Sequence, residues 1–227
     1  MQISVSVMGL LKVVSALILL FAVATLLKGL AQYVGSDGWA TALSPMDSGA
    51  ELSVPTWFSA ALLGMCGLVA WLIAGATRRS TTDGRMWLLL SVVLTAMSLD
   101  EVAGLHERTI QPLRAALDTS GLLHFAWVIP GAIAAAAFAV AMFPFWRRQP
   151  RRTRLGMLVA GCLFVGGAVG LEMVSGLFMT RFGPGPATAI TSLFEEFLEM
   201  AGSTVLLGVL LTHLRCVTPS LRLELRP

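Results

Sequence analysis

Charged residues are scarce in this chain. Aspartate, glutamate, lysine and arginine make up 13% of its 227 residues, about half the share usual in a soluble domain. With 56% hydrophobic residues and a mean hydropathy of +0.79, a chain of this length cannot hide its apolar side chains in one water-soluble core. Cysteine is sparse too. Cys66, Cys162 and Cys216 are an odd set without a C-x-x-C pair, which excludes a disulfide framework. The dinucleotide fingerprint, the P-loop, C-x-x-C-H and the G-x-S-x-G elbow are all missing. The short alternating strands of an outer-membrane barrel are missing as well. The formal charge of +3 sits in loops beside apolar runs, so it gives nucleic-acid binding no support.

Long apolar runs are abundant instead. Six can be drawn, at roughly 8–30, 56–76, 86–107, 122–145, 156–180 and 188–212. Each reaches about 20 residues, enough to cross a bilayer at a helical rise of about 1.5 Å per residue. The first run could be read as a signal peptide, but it is long for one and no clear A-x-A cleavage site follows it. The expected fold is all-α: a polytopic integral membrane bundle of about six transmembrane helices, forming a single transmembrane domain over 1–227.

Arginine sets the expected orientation. Arg78, Arg79 and Arg85 follow the second run; Arg147, Arg148, Arg151, Arg152 and Arg154 follow the fourth; Arg215, Arg222 and Arg226 lie in the tail. The opposite segments hold only Lys28, Arg108, Arg114 and Arg181. The positive-inside rule then places both termini in the cytoplasm, in what reads as a bacterial plasma (inner) membrane. The loop 35–54 on the other side contains glycine, serine, proline and three acids, and reads as an irregular connector.

The acids are the unusual feature. Asp100, Glu101, Glu107, Glu172, Glu195, Glu196 and Glu199 lie in or at the edge of the apolar runs, joined by His106 and His124. On a straight-helix reading, Asp100 lies about 21 Å and Glu172 about 24 Å from the arginine-rich side, while Glu195 to Glu199 begin about 10 Å in from the other side. All therefore fall in the same half of the bundle. So many acids cannot remain charged and unpaired at hydrocarbon depth; metal, protons, arginine or histidine must neutralise them.

At about 100° per residue, Asp100 and Glu107 share one face and Glu101 diverges. Glu195 and Glu199 are one turn apart on the sixth run. The expected metal ligands are Asp100, His106, Glu172, Glu195 and Glu199, holding a divalent metal ion: Zn, Mn or Fe. Glu107 and Glu196 are the expected catalytic proton carriers. Neither Glu-x-x-His nor H-E-x-x-H is present, so this expectation rests on the aggregate. Small-residue packing is expected at Gly166 and Gly170, a kink at Pro130, and a headgroup contact at His213.

Three functional classes follow. The first is a metal-binding membrane protein, with a metal-dependent enzyme acting on a lipid or another outer-leaflet molecule as its fullest form. The second is a proton- or cation-coupled transporter. The third is a non-catalytic subunit of a membrane complex. Whether the chain is an enzyme is left open by these residues. The expected partners are membrane lipids, a lipid-like substrate, and a membrane-protein partner or a second copy of the chain; nucleic acid is not among them.

Overall fold

The computed structural model describes residues 6–47, 53–78 and 81–218. Arg79, Arg222 and Arg226, used above for orientation, lie outside the described residues, as does Glu51. Eight helices and no strand are present among the described residues: α1 Val7–Tyr33, α2 Asp37–Leu43, α3 Val54–Ala76, α4 Thr82–Ala103, α5 Leu105–Leu117, α6 Val128–Arg148, α7 Arg151–Phe182 and α8 Pro186–Val217. Six of them (α1, α3, α4, α6, α7 and α8) are long and apolar enough to cross a membrane. The chain is an all-helical, polytopic membrane bundle.

Local chemistry starts these helices where they start. The Ser6, Ser53 and Thr81 hydroxyls accept from the backbone N–H of Gly9, Thr56 and Gly84 at 3.3, 3.2 and 3.0 Å, each satisfying a donor that the first helical turn leaves without an internal partner. Pro186 opens α8, at a position where its missing N–H costs nothing. Pro130 does not kink a span, because α6 begins at Val128 and leaves the proline in the first turn. Pro144 is the proline inside that helix.

The span expected at 86–107 is two helices. Gly104 adopts a left-handed conformation (φ 57°) and its N–H bonds the Asp100 carbonyl at 2.7 Å, ending α4. The chain then restarts as α5, an amphipathic helix with no fully buried residue. The loop expected to be irregular is also more ordered: α2 lies against α1, Thr25 Oγ1 donates to the Met46 carbonyl at 3.3 Å, and Lys28 forms an ion pair with Asp47.

Helix α8 is central and packs on α1, α3 and α7, while α3 pairs with α4. The apolar core lies toward the arginine-bearing helix ends. Val14 and Ile18 of α1, Leu62 and Ile73 of α3, Trp87 and Leu94 of α4, Phe145 of α6, and Leu207 and Leu210 of α8 all belong to it. His213 is buried in this half rather than facing headgroups. Its Nδ1 lies 3.1 Å from Thr153 Oγ1, and its ring packs 4.9 Å from that of Trp87. The other half of the bundle is where the carboxyl groups collect.

Candidate functional site

Three helices bring five glutamates together: Glu101 from α4, Glu172 from α7, and Glu195, Glu196 and Glu199 from α8. The carboxyl groups of Glu172 and Glu195 lie within hydrogen-bonding reach of each other. Glu196 and Glu199 both feel the charges of Glu101 and Glu172, and Glu196 also feels Glu107 and Asp47. Among the described residues, none of the five forms an ion pair with lysine or arginine.

Two backbone features build this cluster, and neither follows from a straight-helix reading. A π-helical turn spans Gly166–Leu171, directly before Glu172. Its extra residue sets Glu172 roughly 100° away from where an unbroken α-helix would carry it. At the same level Gly167 touches α8: a Cβ there would meet the Glu195 carbonyl oxygen at 2.8 Å and Glu199 Cγ at 3.1 Å. The close approach is therefore made by Gly167. Gly166 and Gly170, the expected packing pair, would meet nothing within 4 Å.

The break at Gly104 takes His106 and Glu107 off the line of α4. Glu101, not Asp100, turns to the cluster. Asp100 instead faces the restarted chain, where its Oδ1 accepts from the His106 N–H at 3.1 Å and its Oδ2 lies 2.6 Å from His106 Nδ1. The His106 ring packs against Trp127, with centroids 4.6 Å apart, and Trp127 Nε1 donates to Glu172 Oε1 at 3.2 Å. Gly131 makes room for this indole, since a Cβ there would lie 2.6 Å from the ring. Trp127 is a site neighbour that sequence reasoning missed. Its one sequence signal was an aromatic donor at the mouth of an apolar run.

The expected metal site is corrected by this geometry. Asp100 and His106 are engaged with each other, while the Glu172 and Glu195 carboxyl groups face each other. Among the described residues, no group of three or more His, Cys, Asp or Glu side chains could hold a metal ion. Asp100, His106, Glu172, Glu195 and Glu199 therefore do not form a centre for Zn, Mn or Fe, and the metal-binding and metal-dependent enzyme readings fall with it.

The expected proton carriers differ in exposure. Glu107 lies on α5 and, with Ala103, Gly104 and Arg108, lines an open depression of about 260 Å³. Glu196 lies deeper, and its Oε2 is buried without a hydrogen-bond partner. Of the three hydroxyls that share that condition, Thr119 lies after α5 and two lie on α3 and α8. Ser59, 0% exposed, sits beside Glu101 without completing a strict hydrogen bond. Ser203, 1% exposed and one turn beyond Glu199, has no hydroxyl partner either.

His124 stands apart, outside the spans. Its Nε2 lies 3.3 Å from Arg114 Nη1 and its Nδ1 lies 3.1 Å from Thr180 Oγ1. Burial first, then the Arg114 guanidinium, hold its imidazole below the ordinary range, while Glu172 pulls the other way.

Fold and site together define a polytopic helical membrane protein with a carboxyl cluster in one half of its bundle that, among the described residues, no lysine or arginine pairs. The chain belongs to the family described as a domain of unknown function, DUF8692, whose model matches residues 13–214. No curated protein and no solved structure matches it.

Proposed function

We propose that this protein is a proton-binding, pH-responsive membrane protein whose working site is the five-glutamate cluster of α4, α7 and α8. The observation that carries this reading is the approach of the Glu172 and Glu195 carboxyl groups to within hydrogen-bonding reach of each other. Two ionised carboxylates at that range repel each other and have no hydrogen to share, so a proton on one of them is what would hold the pair together. Protons are the neutralising agent that remains, since no cation of this chain pairs with the cluster among the described residues and no metal-holding group is formed. The unpartnered oxygens of Glu196, Ser59 and Ser203 support the same reading, because they leave acceptor capacity for protons or water inside the cluster.

In this reading access is from one side, by way of Glu107, which lines the open depression and acts electrostatically on Glu196. Toward the arginine-rich end, Trp87, Phe145, Leu207 and Leu210 close the bundle with apolar side chains. A closed half favours sensing the proton activity of one compartment over a path through the membrane. The arginine asymmetry supports an orientation with the cluster on the extracytoplasmic side of a bacterial plasma membrane. In this reading the six spans work as a single unit. Loss of protons would set like charges against each other across α4, α7 and α8 and drive those helices apart, with the π turn of α7 as the compliant element.

Infrared difference spectra of the protein in nanodiscs, recorded across a change in pH, test this directly. The expected result is a protonated-carboxyl carbonyl band at neutral pH that loses intensity in Glu195→Gln and in Glu172→Gln. Absence of that band from the wild-type protein at neutral pH would sink the proposal.

A further inference from the structure

The opposite end of the bundle carries a second, independent arrangement. Five arginines surround the two-residue turn of Gln149 and Pro150 between α6 and α7: Arg147, Arg148, Arg151, Arg152 and Arg154. Arg148 is accounted for, because its Nε and Nη2 donate to one oxygen of Asp83 at 3.1 and 2.7 Å. Two others are held in place by aromatic rings. The Arg154 guanidinium lies 5.4 Å from the centre of the Trp146 ring, whose Nε1 donates to the Arg154 carbonyl at 2.8 Å. The Arg147 guanidinium lies 5.8 Å from the centre of the Phe143 ring. Arg151 and Arg152 are exposed, and neither forms an ion pair among the described residues.

The placement of these charges is unfavourable for the chain alone. Arg151, Arg152 and Arg154 open α7, whose first turn contains no acidic residue. The macrodipole gives that end partial positive charge, so cations there oppose helix formation and repel one another. An anion outside the chain offsets both effects. The turn joins two membrane spans, which sets it at the depth of the lipid headgroups. Trp146 is of the type that settles at that depth.

We propose that the α6–α7 hairpin is a binding site for anionic phospholipids, whose headgroup phosphate is taken by Arg151 and Arg152 and flanked by Arg147 and Arg154. Guanidinium groups suit phosphate oxygens because they donate paired, charge-assisted hydrogen bonds. The rings of Phe143 and Trp146 hold the flanking arginines in position, which lowers the ordering cost of binding. The rival explanation is that these arginines serve orientation during insertion and nothing afterwards. That explanation predicts no lipid preference in the folded protein.

The test uses the full chain reconstituted with phosphatidylcholine alone or mixed with phosphatidylglycerol, then solubilised and partly delipidated. Retained lipid is counted by mass spectrometry. Wild-type protein should retain phosphatidylglycerol over phosphatidylcholine, and added salt should weaken the preference. Each arginine at a membrane surface contributes on the order of a fivefold factor, so Arg151→Gln with Arg152→Gln should reduce phosphatidylglycerol retention roughly 25-fold. Arg181→Gln, at the other end of the bundle, should leave it unchanged. Equal retention of the two lipids by wild type, or a preference that survives the double substitution, overturns the proposal. Should the double variant fail to insert, wild-type retention still decides: a preference that salt does not weaken overturns it as well.

Discussion

Replacing Gly167 with alanine tests how the carboxyl cluster is assembled. The added Cβ would lie 2.8 Å from the Glu195 carbonyl oxygen, 3.1 Å from Glu199 Cγ and 3.2 Å from Leu198 Cβ. The first contact is about half an ångström inside the 3.4 Å at which ordinary van der Waals contact begins. Its partner is helix backbone, which cannot rotate away as a side chain can. Helices α7 and α8 must therefore separate, at a cost of about 1–3 kcal/mol, the range measured for overpacked cores. Separation also stretches the Glu172–Glu195 carboxyl pair. Gly166 and Gly170 are internal controls, since a Cβ at either meets nothing within 4 Å. Alanine there should be neutral, or stabilising by up to about 1 kcal/mol through helix propensity. Thermal unfolding in one detergent, followed by tryptophan fluorescence, ranks the three variants, and the carboxyl infrared band reads the site. If Gly166→Ala and Gly170→Ala destabilise while Gly167→Ala does not, the helix interface has been assigned to the wrong face.

Other perturbations reach different parts of the molecule. His213→Ala removes the Thr153 contact and the packing on Trp87, and should lower stability by about 2–4 kcal/mol. A histidine that merely touched headgroups would give less than about 0.5 kcal/mol in the same melt. His124 supplies a pH dependence with a defined sign. Burial and Arg114 hold its folded-state value below that of the unfolded chain, so the unfolded state binds the proton first as pH falls. Stability should therefore decline below about pH 6.5 and level off beneath the folded-state value. Melting temperatures of His124→Gln should show a flatter profile over that window, and an unchanged profile would mean that this imidazole does not couple to folding.

The sequence by itself determined the class of protein and the positions of its spans. Apolar runs of membrane length leave helices as the one way to satisfy the backbone in hydrocarbon without a closed barrel, and composition is enough to reveal them. It also exposed the acids, because glutamates at 195, 196 and 199 in an apolar run are costly wherever the helix points. What the acids face was decided by tertiary structure. The sequence reading assumed that direction accumulates evenly along a helix, and two local events broke that assumption. Gly104, at a positive φ, ended α4 and brought His106 back onto Asp100, leaving Glu101 as the α4 acid beside the cluster. The π turn at Gly166–Leu171 turned Glu172 toward Glu195. A glycine in sequence does not declare whether it continues a helix, widens a turn or stops it; the neighbour packed against it decides. For the same reason a set of residues suited to metal by type became a carboxyl cluster beside a separate Asp100–His106 pair. Ligand type is written in the side chain, whereas convergence depends on rotations and approaches of about an ångström that are fixed when α7 closes on α8 at Gly167.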